Sequence, residues 1–195
     1  CGNFYRILQK FRRLRWHELW DLSPWQATIN KYGIDHGIGQ IHHFCGDAKI
    51  GLELGWEGLR QKVAHYAAIN DQTEEQREFY HAETVFLDAC MDWMDRTIDC
   101  VREKLAAETD PLLKENLQGM LEANEWVRHH PPQTLRQACT FISWYNLFGR
   151  SFNREGCGGQ LDELLRPYYE HDAAEGLIDD EDAVYFISGL LMSDT

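Results

Sequence analysis

The stretch from Thr73 to Leu105 constrains this chain more than any other. Thr73 and Gln76 stand at capping-box spacing, in which each side chain satisfies a free backbone N–H at a helix start. Glu74 and Glu75 add negative charge where the helix dipole is positive. Phe79, Phe86, Cys90, Met94, Ile98, Val101 and Leu105 follow at three-, four- and seven-residue steps. The spacing predicts a long helix with one buried stripe, whose aromatics and methionines are core rather than cofactor contacts.

The remaining segments read as further helices. Asp110-Pro111 restarts a helix with proline at its first position, where the missing N–H costs nothing. Leu113, Leu117, Met120, Leu121 and Val127 carry its apolar face, and the short link predicts an antiparallel hairpin. His129-His130-Pro131-Pro132 breaks the pattern; with no Cys or acid at ligand spacing beside them, the paired histidines do not read as a metal site. Thr134 with Gln137 caps a third helix whose inner side is Leu135, Ala138, Ile142, Tyr145 and Phe148. A glycine loop from Phe152 leads into a helical pattern closed by Pro167. Asp179 then caps a last helix over Ala183, Phe186, Ile187, Leu190 and Leu191. Upstream, residues 4–22 predict a basic amphipathic helix that stops near Ser23-Pro24, while Trp16, Trp20 and Trp25 read as aromatic packing. Lys31 to Gly58 is glycine-rich, and within it Ile38 to Asp47 alternates too irregularly to predict a strand. The fold class expected is mainly α, with few or no strands.

At 195 residues, 44% apolar and 12% aromatic, the chain has the length of one domain and can bury a sizeable core. A formal charge of −13 argues against general nucleic-acid binding, which needs a basic excess. The local exception is Arg6, Lys10, Arg12, Arg13 and Arg15, a possible surface for protein partners in a non-catalytic helical interaction module. The six cysteines include no CxxC pair, which fits a reducing, cytoplasmic compartment. No apolar run reaches the roughly 18 residues of a membrane span.

Chemistry concentrates in two places. If Gly39 to Asp47 is extended, His43, Cys45 and Asp47 share one face. Those residue types serve as zinc ligands, as a thiolate–imidazole pair, as a base and an acid, or as a buried hydrogen-bonded cluster. A zinc-dependent enzyme using His43, Cys45 and Asp47 is therefore one alternative, although the pairs that usually complete a structural zinc site are missing. In the loop after Phe152, Arg154 offers a planar fork of donors for an anion and Glu155 an acceptor or proton carrier beside it. These opposite charges also suit mutual neutralisation at a surface.

The order of these elements resembles the glycyl radical enzymes, the pyruvate formate-lyase-like family. The resemblance is carried by Pro131, Pro132, Thr134, Leu135, Arg136 and Ala138 at the entry to the third helix. It continues through Gly159, Leu161, Asp162, Leu164, Pro167, Tyr168 and Tyr169, then Asp172, Glu175, Gly176 and Ala183. It spans roughly Gln40 to Ser193. Members commonly carry G-H-x-x-x-D-Y followed by K-x-x-x-G-L-x-G-I, and His42 to Asp47 followed by Leu54 to Leu59 is similar. By that match His43 takes the place of the active-site histidine of polyol-eliminating members and Asp47 that of the following aspartate.

The departures from the family pattern bear on substrate. Dehydratase-like members typically have N-G-H-S before S-x-G-R-x-D-Q, whereas this chain has Phe152-Asn153-Arg154-Glu155, with Gln160 for the Arg and Glu163 for the Gln. The resemblance and these departures imply a differently charged pocket with an anionic substrate held by Arg154 and oriented by Arg154 and Glu155, and a pocket wall or proton handling by His43 and Asp47, with Cys45 among the pocket residues. It also implies a glycyl radical installed by an activating enzyme with an iron–sulfur cluster and S-adenosylmethionine, and C–C, C–O or C–S cleavage by a cytoplasmic homodimer. The family's G-C-x-E cysteine loop and R-V-x-G-Y glycine motif are absent, since Cys157 is followed by Gly158-Gly159. Residues 1–195 are therefore expected to be one N-terminal helical segment of the family's α/β barrel, inactive alone, an expectation that the missing initiator Met fits.

Overall fold

The computed structural model describes residues 46–150 and 160–193, all within the unit His42–Thr195. Every regular element among them is a helix: α1 (Ala48–Ile69), α2 (Glu74–Ala107), α3 (Pro111–His129), α4 (Leu135–Arg150), α5 (Leu161–Ala174) and α6 (Asp180–Ser193). The mainly α expectation holds, with no strand among the described residues. The predicted basic helix of residues 4–22, its tryptophans and the glycine loop after Phe152 lie outside the described residues.

Local sequence sets the helix starts. Thr73 Oγ1 accepts from Gln76 N at 3.2 Å, and Gln76 Oε1 accepts from Thr73 N at 3.1 Å. Asp110 Oδ1 accepts from Leu112 N and Leu113 N at 2.9 and 3.1 Å ahead of the Pro111 start. At α4, Gln137 Oε1 accepts from Gln133 N and Thr134 N, while Thr134 Oγ1 accepts from Gln137 N. Asp179 Oδ1 accepts from Glu181 N and Asp182 N, both at 2.9 Å, to open α6. Because the α2 cap is exposed and local, Thr73→Ala is expected to cost about 1 kcal/mol in urea unfolding. No shift in the midpoint would contradict that role.

α2 and α3 form the antiparallel hairpin, as their crosslinks show: Arg102 meets Glu125 at 2.6 Å and Arg128 meets Asp95 at 2.8 Å, so position rises on one helix as it falls on the other. Arg128 also reaches Glu57 of α1 at 3.3 Å, tying three helices at one mostly buried guanidinium. The core lies under α4, where Leu135, Phe141 and Ile142 are fully buried against Met94 and Val127. Trp56 stacks on Phe141 at 4.9 Å and meets Phe148 edge-on at 5.2 Å. α5 contributes Leu165 to this cluster, and α6 contributes Ala183 and Leu190.

Several sequence expectations are corrected here. α1 occupies part of the irregular glycine-rich stretch; it is two half-helices joined at Gly55, whose φ of 65° interrupts the regular turn. The buried face of α2 is Leu87, Cys90, Met91, Met94, Ile98 and Val101, whereas Phe79 and Phe86 are exposed beside Leu59, Val63 and Tyr66 of α1 in an open groove. On α3, Leu113 and Met120 are exposed and Ala123 and Asn124 are buried instead. Leu191 of α6 is likewise exposed. Pro167 does not close α5, which runs on to Ala174. Proline forfeits one backbone bond there, but Tyr168 and Tyr169 beyond it pack on the core and Asp172 anchors the helix to α4, which holds the last turns in place.

Candidate functional site

Asp47 is the one predicted site residue within the described residues, and it stands at the N-cap of α1. Its Oδ1 accepts from Lys49 N at 3.1 Å, so its carboxylate is engaged as a helix cap in an exposed position. The half-helix that follows is held by close approaches. A Cβ on Gly51 would lie 2.7 Å from Phe141 Cε1, and one on Gly55 would lie 2.9 Å from Pro131 N. Ala48 and Leu52 are buried on the same half-helix. Tyr145 on α4 donates its hydroxyl to the Asp47 carbonyl at 3.4 Å, linking the start of α1 to the helix that follows the paired prolines.

His43 and Cys45 lie outside the described residues, as do Arg154 and Glu155. Among the described residues no group of three His, Cys, Asp or Glu side chains could hold a metal ion. His130 packs against Trp126, their ring centroids 4.7 Å apart.

Burial governs the other reactive groups. Cys90 and Cys139 are free thiols whose pKa burial pushes up to about 12, so neither is a ready nucleophile near neutral pH. Burial also pushes the Tyr168 phenol upward, and Glu53 adds to the shift.

Two residues named in the sequence pattern acquire roles that pattern could not assign. Asp172 is 1% exposed, and its Oδ2 accepts from Leu135 N at 2.7 Å, the first N–H of α4. Its Oδ1 lies 3.0 Å from His171 Nδ1, which donates in the tautomer that carries its proton there. Arg136 is half-buried and donates from Nη2 to Asn116 O and Oδ1 at 3.2 and 3.3 Å. A polar residue at a core-facing helix register is the signal that could have singled out both. No helix among the described residues is long and apolar enough to cross a membrane.

The pattern that defines the family described as pyruvate formate lyase-like matches residues 29–195. Isethionate sulfite-lyase from Nitratidesulfovibrio vulgaris is 29% identical over 141 residues, covering 68% of this chain and 17% of that protein. The protein named Probable dehydratase YbiW from Escherichia coli is 32% identical over 139 residues, again 17% of its length and 67% of this chain. The chain thus spans about a sixth of these curated relatives. The crystal structure of a glycyl radical enzyme from Archaeoglobus fulgidus superposes with a TM-score of 0.69 at 20% identity, over 79% of this chain and 21% of that one. At that identity the likeness speaks to fold alone.

Proposed function

Because this chain belongs to the pyruvate formate-lyase-like family of glycyl radical enzymes, we propose that it forms part of an enzyme cleaving a C–C, C–O or C–S bond in a small anionic substrate. The observation that supports the anionic class is Arg154-Glu155 standing where dehydratase-like members carry His and Ser. A guanidinium offers a carboxylate or sulfonate two parallel donors, and the neighbouring carboxylate excludes a second anion from the same place.

In this reading His43, Cys45 and Asp47 form part of the pocket wall, with His43 placed for proton handling. Arg154 and Glu155 orient the substrate. Residues 1–195 make one segment of the family domain, and neither radical-bearing motif is among them. In the whole enzyme a glycyl radical, installed by an iron–sulfur and S-adenosylmethionine activating enzyme, would supply hydrogen-atom abstraction by way of the family's cysteine. We place that enzyme in the cytoplasm as a homodimer, with the small-molecule substrate and the activating enzyme as its partners. The fragment's own task is binding, orientation and exclusion of water, and alone it is inactive.

The test is Arg154→Ala in the full-length enzyme, assayed across carboxylate, sulfonate and neutral polyol substrates. Loss of one charge-assisted contact predicts a KM about tenfold higher for the true substrate. An unchanged KM would sink the anionic reading. The enzyme reading itself fails if no G-C-x-E and R-V-x-G-Y motifs follow Thr195 in the same frame or in an adjacent gene.

A further inference from the structure

The described arginine side chains divide sharply by partner. Arg60 meets Asp88 at 2.6 Å, Arg77 meets Asp71 at 2.9 Å and Arg96 meets Asp92 at 3.3 Å. Arg102, Arg128 and Arg166 are likewise paired, with Glu125, Asp95 and Glu163 at 2.6 to 2.8 Å. Arg136 has no carboxylate within ion-pair distance among the described residues, although it is half-buried, where an uncompensated charge is most costly.

Its seat is specific. Gly119 of α3 lies under Nη1, where any Cβ would overlap the guanidinium. Phe186 of α6 covers one side, its ring centroid 5.2 Å from Cζ. Nη2 is committed to the neutral oxygens of Asn116, while Nη1 and Nε make no hydrogen bond among the described residues. Burial pushes the guanidinium below the usual arginine range, with Tyr185 and Glu122 pulling the other way. A cation so held has no carboxylate paired with it among the described residues.

An open cavity of about 330 Å³ adjoins it, between α2, α3 and α4. The other polar groups there are engaged by neighbouring protein atoms, Ser143 through its hydroxyl proton on Cys139 O. Thr97 and Thr140 give their hydroxyl protons to the carbonyls of Trp93 and Arg136. The Asn124 amide donates to Met120 O, and Trp144 Nε1 donates to Asn124 Oδ1. What remains for a ligand is one cationic edge beside the apolar surfaces of Met120 and Trp144. A phosphate or sulfate dianion needs more donors than this edge supplies, whereas a planar monoanion matches it.

We propose that this cavity is a binding site for a small monocarboxylate with an apolar tail, its head on Arg136 and its tail along Met120 and Trp144. This site is separate from the substrate role given to Arg154 and does not depend on it. The test is a benzoate titration of the full chain at constant ionic strength, followed by tryptophan fluorescence because Trp144 lines the cavity. Saturable binding is expected, with at least tenfold weaker binding of benzamide, which keeps the shape and drops the charge. Arg136→Gln is expected to weaken benzoate by at least tenfold. The benzoate and benzamide comparison needs no variant and stands even if that substitution unfolds the protein. Absence of a saturable benzoate signal, as when a carboxylate of the polypeptide already fills the slot, overturns the proposal. So does equal binding of benzamide, or unchanged affinity in a folded Arg136→Gln protein.

Discussion

Replacing Gly55 with alanine is expected to destabilise the helical unit by about 3 kcal/mol, from left-handed strain of about 1–2 kcal/mol and overpacking of about 1–3 kcal/mol. The residue has a φ of 65°, which glycine adopts freely and alanine does not. Its added Cβ would meet Pro131 N at 2.9 Å, His130 C at 3.1 Å and Pro131 Cα at 3.2 Å. These are backbone atoms of the turn between α3 and α4, so no rotamer change can relieve the contact. Gly189→Ala is the control, because its Cβ would meet nothing within 4 Å in a helical residue. There the better helix propensity of alanine predicts a gain of about 0.5–1 kcal/mol. Urea unfolding of both variants decides the matter. A Gly55→Ala protein as stable as the parent would mean that the kink of α1 and the Pro131 turn can separate at little cost.

That kink bears on the candidate site. Asp47 leads into the half-helix before Gly55, and Gly51 on the same half-helix rests on Phe141. Glycine at both positions lets α1 approach the turn at Pro131 and the face of α4 together. The start of α1 is thereby set by contacts with α4 and the turn before it, so displacing Gly55 moves Asp47 relative to Tyr145.

Helix starts were legible in the sequence because their signals are local. Thr73 with Gln76, Asp110 with Pro111, Thr134 with Gln137 and Asp179 each find their partners within three residues, and each opens a helix where the sequence predicts one. α1 was hidden by the glycines at 51, 55 and 58, which read as loop when their partners Phe141 and Pro131 are out of view. Phe79 and Phe86 keep helical spacing with Cys90, yet a periodic stripe does not reveal where the covering helices run out. Asp47 illustrates the same limit. Its capping of Lys49 N is local, but the histidine and cysteine that precede it suit an extended segment as well as a helix start. The roles of Arg136 and Asp172 rest on contacts 20 and 37 residues away, beyond any periodicity or capping rule.

Asp172→Ala is expected to cost about 3 kcal/mol, an effect much larger than that of an exposed cap. The first N–H groups of a helix have no partner within it, and Leu135 N is one of them. Gln133, Thr134 and Gln137 satisfy one another locally, which leaves Leu135 N to a carboxylate from α5 at 2.7 Å. Leu135 is fully buried and Asp172 nearly so, so water cannot readily replace the lost acceptor. The negative charge also faces the positive end of α4, which adds to the loss when it is removed. Asp172→Asn retains an oxygen acceptor and nearly the same volume but gives up the charge, and about 1 kcal/mol is expected from that change. The ordering of the two variants carries the argument. If both cost the same, the contribution of Asp172 is its charge; if alanine costs less than about 0.5 kcal/mol, the buried bond to Leu135 does not hold α5 to α4. Urea unfolding of each variant measures the difference, and a loss confined to alanine identifies the hydrogen bond as the tie that lets α5 continue past Pro167.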